Sequence, residues 1–179
     1  RIYPGCRIYG EKTVISSGAQ IGREGKPMLH GFGDDPLDFY FVPVKSFRDF
    51  LFSRLKEAID LGAGAIHLEE PEYWAFNGYS EPFKLEWRAA YGSDWIPPHT
   101  SIDARAMTAN LMQKLYRDHI NELSAACKEY ARSKGRRVRC FVPTHSLINY
   151  SQWKIVSPMA GLMRMPNVDG YIAQVWTGT

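Results

Sequence analysis

The stretch Ala63-Gly64-Ala65-Ile66-His67-Leu68-Glu69-Glu70-Pro71-Glu72 decides how this chain is read. Its apolar start is too short for a helix and ends abruptly in carboxylates, which is the pattern of a buried strand running out into a loop. Immediately before it, Phe47, Phe50, Leu51, Leu55, Ala58 and Ile59 recur at helical spacing, with Ser46 placed as an N-cap and Gly62 as the closing residue. Before that helix, Phe39–Val44 is a short aromatic and β-branched run that reads as another buried strand. Strand, helix and strand in such quick succession predict a β–α–β unit.

The same grammar continues downstream. A long helix is predicted from about Asp103 to Ser133, with Met107, Leu111, Leu115, Leu123, Ala126 and Tyr130 on or near one face and Gly135 ending it. Val138–Thr144 reads as a third strand, a helix-like stretch runs from Tyr150 to Met165, and Asp169–Trp176 reads as a fourth strand. Between the acidic strand end and the long helix lies an aromatic-rich insertion, at about 71–102, whose Glu81–Tyr91 portion is helical in pattern. Residues 1–37 are rich in glycine and short polar residues and read as loop around one short strand, Thr13–Ser16.

Alternating strands and helices imply a parallel sheet with right-handed crossovers, in either a doubly wound sheet or a (β/α)8 barrel. No glycine-rich phosphate loop follows any of the strands, which turns the reading from nucleotide binding toward the barrel. A complete barrel takes about 250 residues. The chain, with 179, is therefore expected to be a single partial α/β-barrel domain of about four β/α units, a segment of a larger protein. Half a barrel leaves its strand edges open, so the remainder of the barrel or a second copy is the expected neighbour.

Composition narrows the function. The basic residues are dispersed around a net charge of only +3, and the densest run, Lys134-Gly135-Arg136-Arg137, falls at a helix end where cations complement the dipole. No nucleic-acid motif accompanies it, so no nucleic-acid partner is expected. The three cysteines, Cys6, Cys127 and Cys140, are too scattered for a disulfide framework. Cys127 and Cys140 sit in apolar patterns and read as buried small hydrophobes. No apolar run approaches the roughly 18 residues of a membrane span, so no membrane partner is expected either.

Ligands of open and closed parallel sheets meet the C-terminal ends of the strands, and here those ends carry Glu69-Glu70, Thr144-His145-Ser146, Gln174 and Trp176. Two adjacent acids at such a position cannot both be buried and ionised cheaply, so one gains a raised pKa or a cationic partner. That is how a protein makes a general acid that works near neutrality. Strand alternation sends Glu69 and Glu70 to opposite sides unless the strand distorts at its end. His145 and Ser146 are adjacent and lack a nucleophile elbow, which argues against a Ser/His pair. The histidines show none of the His-x-His or His-x-x-x-His spacings of a metal site, so neither metal nor cofactor is predicted.

An acidic residue followed by Glu70-Pro71 at a strand end resembles the fourth-strand signature of retaining barrel glycosidases of the cellulase and β-galactosidase superfamily. There the usual motif is Asn-Glu-Pro, and here Glu69 stands in the Asn place. The resemblance implies a glycoside hydrolase with Glu70 as acid/base and Glu69 as its orienting neighbour. It also implies that the nucleophile ends a later strand, beyond Thr179, so that this chain alone does not hydrolyse glycosides. Retaining enzymes need their two carboxyl groups about 5 Å apart. His67, Trp74, Tyr79, His145, Gln174 and Trp176 are the candidate contacts to a carbohydrate substrate, the aromatics because sugar rings present apolar faces that pack on them. Phe83, Trp87 and Tyr91, four residues apart, instead read as the buried face of the short helix. The alternatives are a non-catalytic carbohydrate-binding barrel and a metal-dependent hydrolase.

Overall fold

The computed structural model describes residues 18–28, 40–69, 71–145, 155–156 and 165–174. Among them, in chain order, are helix α1 (Lys45–Asp60), strands β1 (Ala65–His67) and β2 (Tyr73–Trp74), helices α2 (Glu81–Tyr91) and α3 (Ile102–Ser133), and strands β3 (Arg139–His145), β4 (Ile155–Val156) and β5 (Gly170–Gln174). Three strands form a parallel sheet in the order β1-β3-β5, with Ile66 opposite Cys140 and Pro143 opposite Ile172. The other two, β2 and β4, form a separate antiparallel pair.

This corrects the expectation of four β/α units of a (β/α)8 barrel. Among the described residues there are three helices and a parallel sheet of three strands, and no barrel is formed. The run expected to be the first strand does not join the sheet. Tyr40, Phe41 and Val42 are buried, yet Phe41 pairs with Ala19 in an isolated antiparallel bridge, and the Tyr40 carbonyl accepts from the Gln20 N–H at 2.7 Å. A short apolar run satisfies its backbone equally well in a local bridge as in a ladder, and here the local partner wins. Part of the stretch expected to be helical before β5 is likewise extended, since Ile155–Val156 is β4. The short strand predicted at Thr13–Ser16 lies outside the described residues.

The helices follow from their local chemistry. Ser101 caps α3, its hydroxyl accepting from the Ala104 N–H, and Ser80 caps α2 by accepting from the Phe83 N–H. Gly92 closes α2 in the left-handed region at φ 62°, where a side chain would be strained. By contrast, α1 begins one residue before the expected cap: Val44 is its N-cap, and no side chain closes the turn.

Among the described residues, two apolar clusters form the core. The first lies under the sheet, where Ile66, Leu68, Cys140 and Val142 meet Leu51, Leu55 and Ile59 of α1 and Leu123, Cys127 and Ala131 of α3. Burying each leucine, isoleucine or valine among them contributes about 1.5–3 kcal/mol. The second gathers Val42, Tyr73, Phe83 and Trp87 against Leu111, Met112, Leu115 and Tyr116 of α3. Trp87 is fully buried, stands 4.7 Å from the ring of Tyr91, and donates its indole N–H to the Asp94 carbonyl at 3.1 Å. The face of α2 that the spacing assigned to the core is therefore the face that is buried.

Candidate functional site

Because β1, β3 and β5 run parallel, their C-terminal ends come to one side of the molecule. The Leu68 N–H donates to the Phe141 carbonyl at 2.8 Å, which extends the pairing one residue past β1. Ile66 and Leu68 face the helices. The pleat alternates, so His67 and, one step further, Glu69 belong to the opposite face. His67 is exposed, and its ring lies edge-on to Phe141 at 5.7 Å. His145 and Gln174 are register partners at the ends of β3 and β5. The sheet thus brings Glu69, His145 and Gln174 to the same end.

Glu69 is only 3% exposed and Glu72 is fully buried, with Pro71 and Tyr73 buried beside them. A carboxylate removed from water is expensive, and two within four residues are rarely kept for packing alone. Thr144, on β3, is buried at the same end. Glu70, the predicted acid/base, and Trp176 lie outside the described residues, as do the side chains of His145 and Gln174.

The chain after Glu72 is positioned by a buried amide that the sequence did not advertise. Gln20 has no exposed surface. Its side-chain N–H groups donate to the Phe41 carbonyl at 2.9 Å and the Tyr116 hydroxyl at 3.0 Å, and its oxygen accepts from the Trp74 N–H at 3.2 Å. One residue thereby ties the loop at 18–28, the segment at 40–42, α3 and β2 to one another. Trp74 itself is half-buried and meets Tyr40 edge-on at 6.1 Å, so it is held in the scaffold at the root of the insertion.

Further along the insertion, Tyr79 forms the centre of an aromatic group. Its hydroxyl is hydrogen-bonded to His99 Nδ1 at 2.8 Å, its ring stacks on the same imidazole, and Trp95 approaches edge-on at 5.5 Å. The Lys84 ammonium lies over Trp95 at 4.7 Å. Burial pushes the Tyr79 hydroxyl up, while Arg23, the His99 contact and Arg105 pull the other way and leave a net rise. His99 is a partner that sequence reasoning missed, because twenty residues separate it from Tyr79 and no spacing rule links them.

No family model, curated protein or solved structure matches this chain.

Among the described residues, no group of three or more His, Cys, Asp or Glu side chains is arranged to hold a metal ion. No helix there is long and apolar enough to cross a membrane. Both cysteines described, Cys127 and Cys140, are free and buried, and burial pushes the Cys127 thiol up to about 12.

Proposed function

We propose that this chain carries the acid/base half of a glycoside hydrolase that cleaves glycosidic bonds with retention of configuration. The observation that supports it best is the burial of Glu69 and Glu72 around the Glu-Pro step, at the C-terminal end of a parallel strand. In this reading Glu70 protonates the departing glycosidic oxygen as a second carboxylate attacks the anomeric carbon. The resulting glycosyl ester is then opened by a water that Glu70 deprotonates. Glu69 orients Glu70, and burial of the neighbouring segment keeps water from competing for the acid proton. The attacking carboxylate is not among the residues assigned here. His67, Trp74, Tyr79, His145, Gln174 and Trp176 contact the sugar, with the aromatics supplying stacking surfaces.

The test has two parts. The chain is first screened against an array of oligosaccharides, where specific retention of at least one glycan is expected. The protein is then assayed on that glycan with Glu70 intact and with Glu70→Gln, which should slow turnover by about 10²–10⁴-fold while leaving affinity nearly unchanged. No bound glycan, or a Glu70→Gln enzyme as fast as the parent, sinks the proposal. Binding without turnover in either form points to the non-catalytic alternative.

A further inference from the structure

At the other end of the sheet, an open groove of about 850 Å³ is lined by Gly64, Lys128, Arg132, Arg137, Val138, Arg139 and Asp169. Gly64, Val138 and Asp169 immediately precede β1, β3 and β5, so the groove opens on the N-terminal ends of all three parallel strands. Four cationic side chains face one carboxylate there. Asp169 is already committed: it takes the Lys128 ammonium at 2.8 Å and the Cys140 N–H at 2.7 Å. Burial pulls its carboxyl upward, but Lys128, the Cys140 N–H and Arg139 outweigh this and hold it below the usual range.

That leaves three guanidiniums, all exposed and, among the described residues, without a carboxylate at ion-pair distance: Arg132, Arg137 and Arg139. Arg132 sits in the last turn of α3, where a cation complements the dipole, and Arg139 lies 5.5 Å over the Phe141 ring, but neither contact supplies a counter-charge. The neighbouring cations have polar partners as well. Lys134 lies 5.2 Å over the Tyr130 ring and 4.0 Å from Asp60, and Arg136 donates to the carbonyls of Ile59 and Asp60 that end α1. Arg137 and Arg139 flank the buried Val138, and they line the groove that α3 borders with Lys128 and Arg132, one helical turn apart. Guanidiniums present paired N–H donors that match the oxygens of phosphate and sulfate groups.

We propose that this groove is a binding site for a tetrahedral oxyanion, a phosphate or sulfate group, with Arg132, Arg137 and Arg139 as its ligands. The volume is that of a site for a whole small molecule, so an ester of a sugar-sized alcohol fits better than a bare ion. The inference stands apart from the carbohydrate-cleaving reading, since it involves the other end of the sheet.

Titration calorimetry of the full chain at low salt, with glucose 6-phosphate, glucose 6-sulfate, glucose and inorganic phosphate, tests it. At least one ester is expected to bind, glucose is not, and added salt should weaken the binding. The double variant Arg137→Gln/Arg139→Gln should bind about tenfold or more weakly, as should Arg132→Gln alone to a lesser degree, while Lys134→Gln binds as the parent does. These arginines are exposed, so the variants should melt as the parent does, and the melt checks it. An ester that binds more tightly than inorganic phosphate identifies the source as an ester; equal affinities identify a site for the free ion. Absence of binding by every oxyanion probe at millimolar concentration, or binding that the double variant leaves intact, overturns the proposal.

Discussion

Replacing Gln20 by leucine tests whether one buried amide organises the ground beneath the candidate site. Leucine nearly fills the same volume, so the change removes hydrogen bonds without opening a cavity. Three are lost: to the Phe41 carbonyl, to the Tyr116 hydroxyl and from the Trp74 N–H. At a net contribution of about 1 kcal/mol each, the expected loss is about 3 kcal/mol. The Phe41 carbonyl keeps its bond from the Tyr116 hydroxyl at 2.8 Å, so the loss falls mostly on the Trp74 N–H, which limits it to that range. For a chain of this size, that corresponds to a melting point lower by about 6–12 °C. Urea denaturation followed by tryptophan fluorescence gives the free energy directly. A cycle with Tyr116→Phe isolates the shared bond and should show coupling of about 0.5–3 kcal/mol. A loss under about 1 kcal/mol, or strict additivity in the cycle, would refute the assignment of Gln20 as the tie.

Trp87→Ala should cost about 3–5 kcal/mol because the indole is fully buried, whereas Leu85→Lys on the exposed face of the same helix should stay within about 0.5 kcal/mol; thermal melts compare the two. Gly78 has φ 110°, and a Cβ there would meet Thr108 Cγ2 at 2.9 Å, so Gly78→Ala should destabilise by about 1–3 kcal/mol, and an unchanged melt would contradict the geometry. Burial raises Cys127 from 9.0 to about 12 and Tyr73 from 10.0 to about 12, against a lowering contribution from Gln113 at Tyr73. The folded protein keeps protons that the unfolded chain releases, so this stability is complete below pH 9.0 and is lost as pH rises toward about 12. Melting points across that range should fall, and Cys127→Ala should soften the early part of the decline.

How much of this was legible in the sequence depended on how local each signal was. Helix α2 was readable because the four-residue spacing of Phe83, Trp87 and Tyr91 lies wholly within it. The bounds of α3 and the strand character of β1 and β3 came from equally local patterns. The segment at 40–42 was misread because burial alone cannot name a partner, and that partner is the loop at 18–20. The two residues of β4 are too few for any periodicity to show. At the site, the acid-rich strand end was visible, while Gln20 and His99 were not: each acts through a contact with a residue distant in sequence, and neither belongs to a pattern. The basic run was visible too, but only the structure divides it into Lys134 and Arg136, used in packing, and Arg137, left to the groove.

The 32 residues of α3 make a rod of about 48 Å, and its two halves serve different masters. Leu111, Met112, Leu115 and Tyr116 belong to the cluster of the insertion, and Ile120, Leu123, Cys127 and Ala131 to the cluster beneath the sheet. The insertion is therefore no detachable ornament. Excising it would remove Tyr73, Phe83 and Trp87 from the first half of the rod and leave Val42 as the main apolar cover among the described residues. Heat or denaturant should likewise meet one structure rather than two, because neither half of α3 can melt without loosening the anchorage of the other. Whatever binds in the groove beside the C-terminal end of α3 is thus bolted, through a single continuous helix, to the aromatic segment packed on its other half.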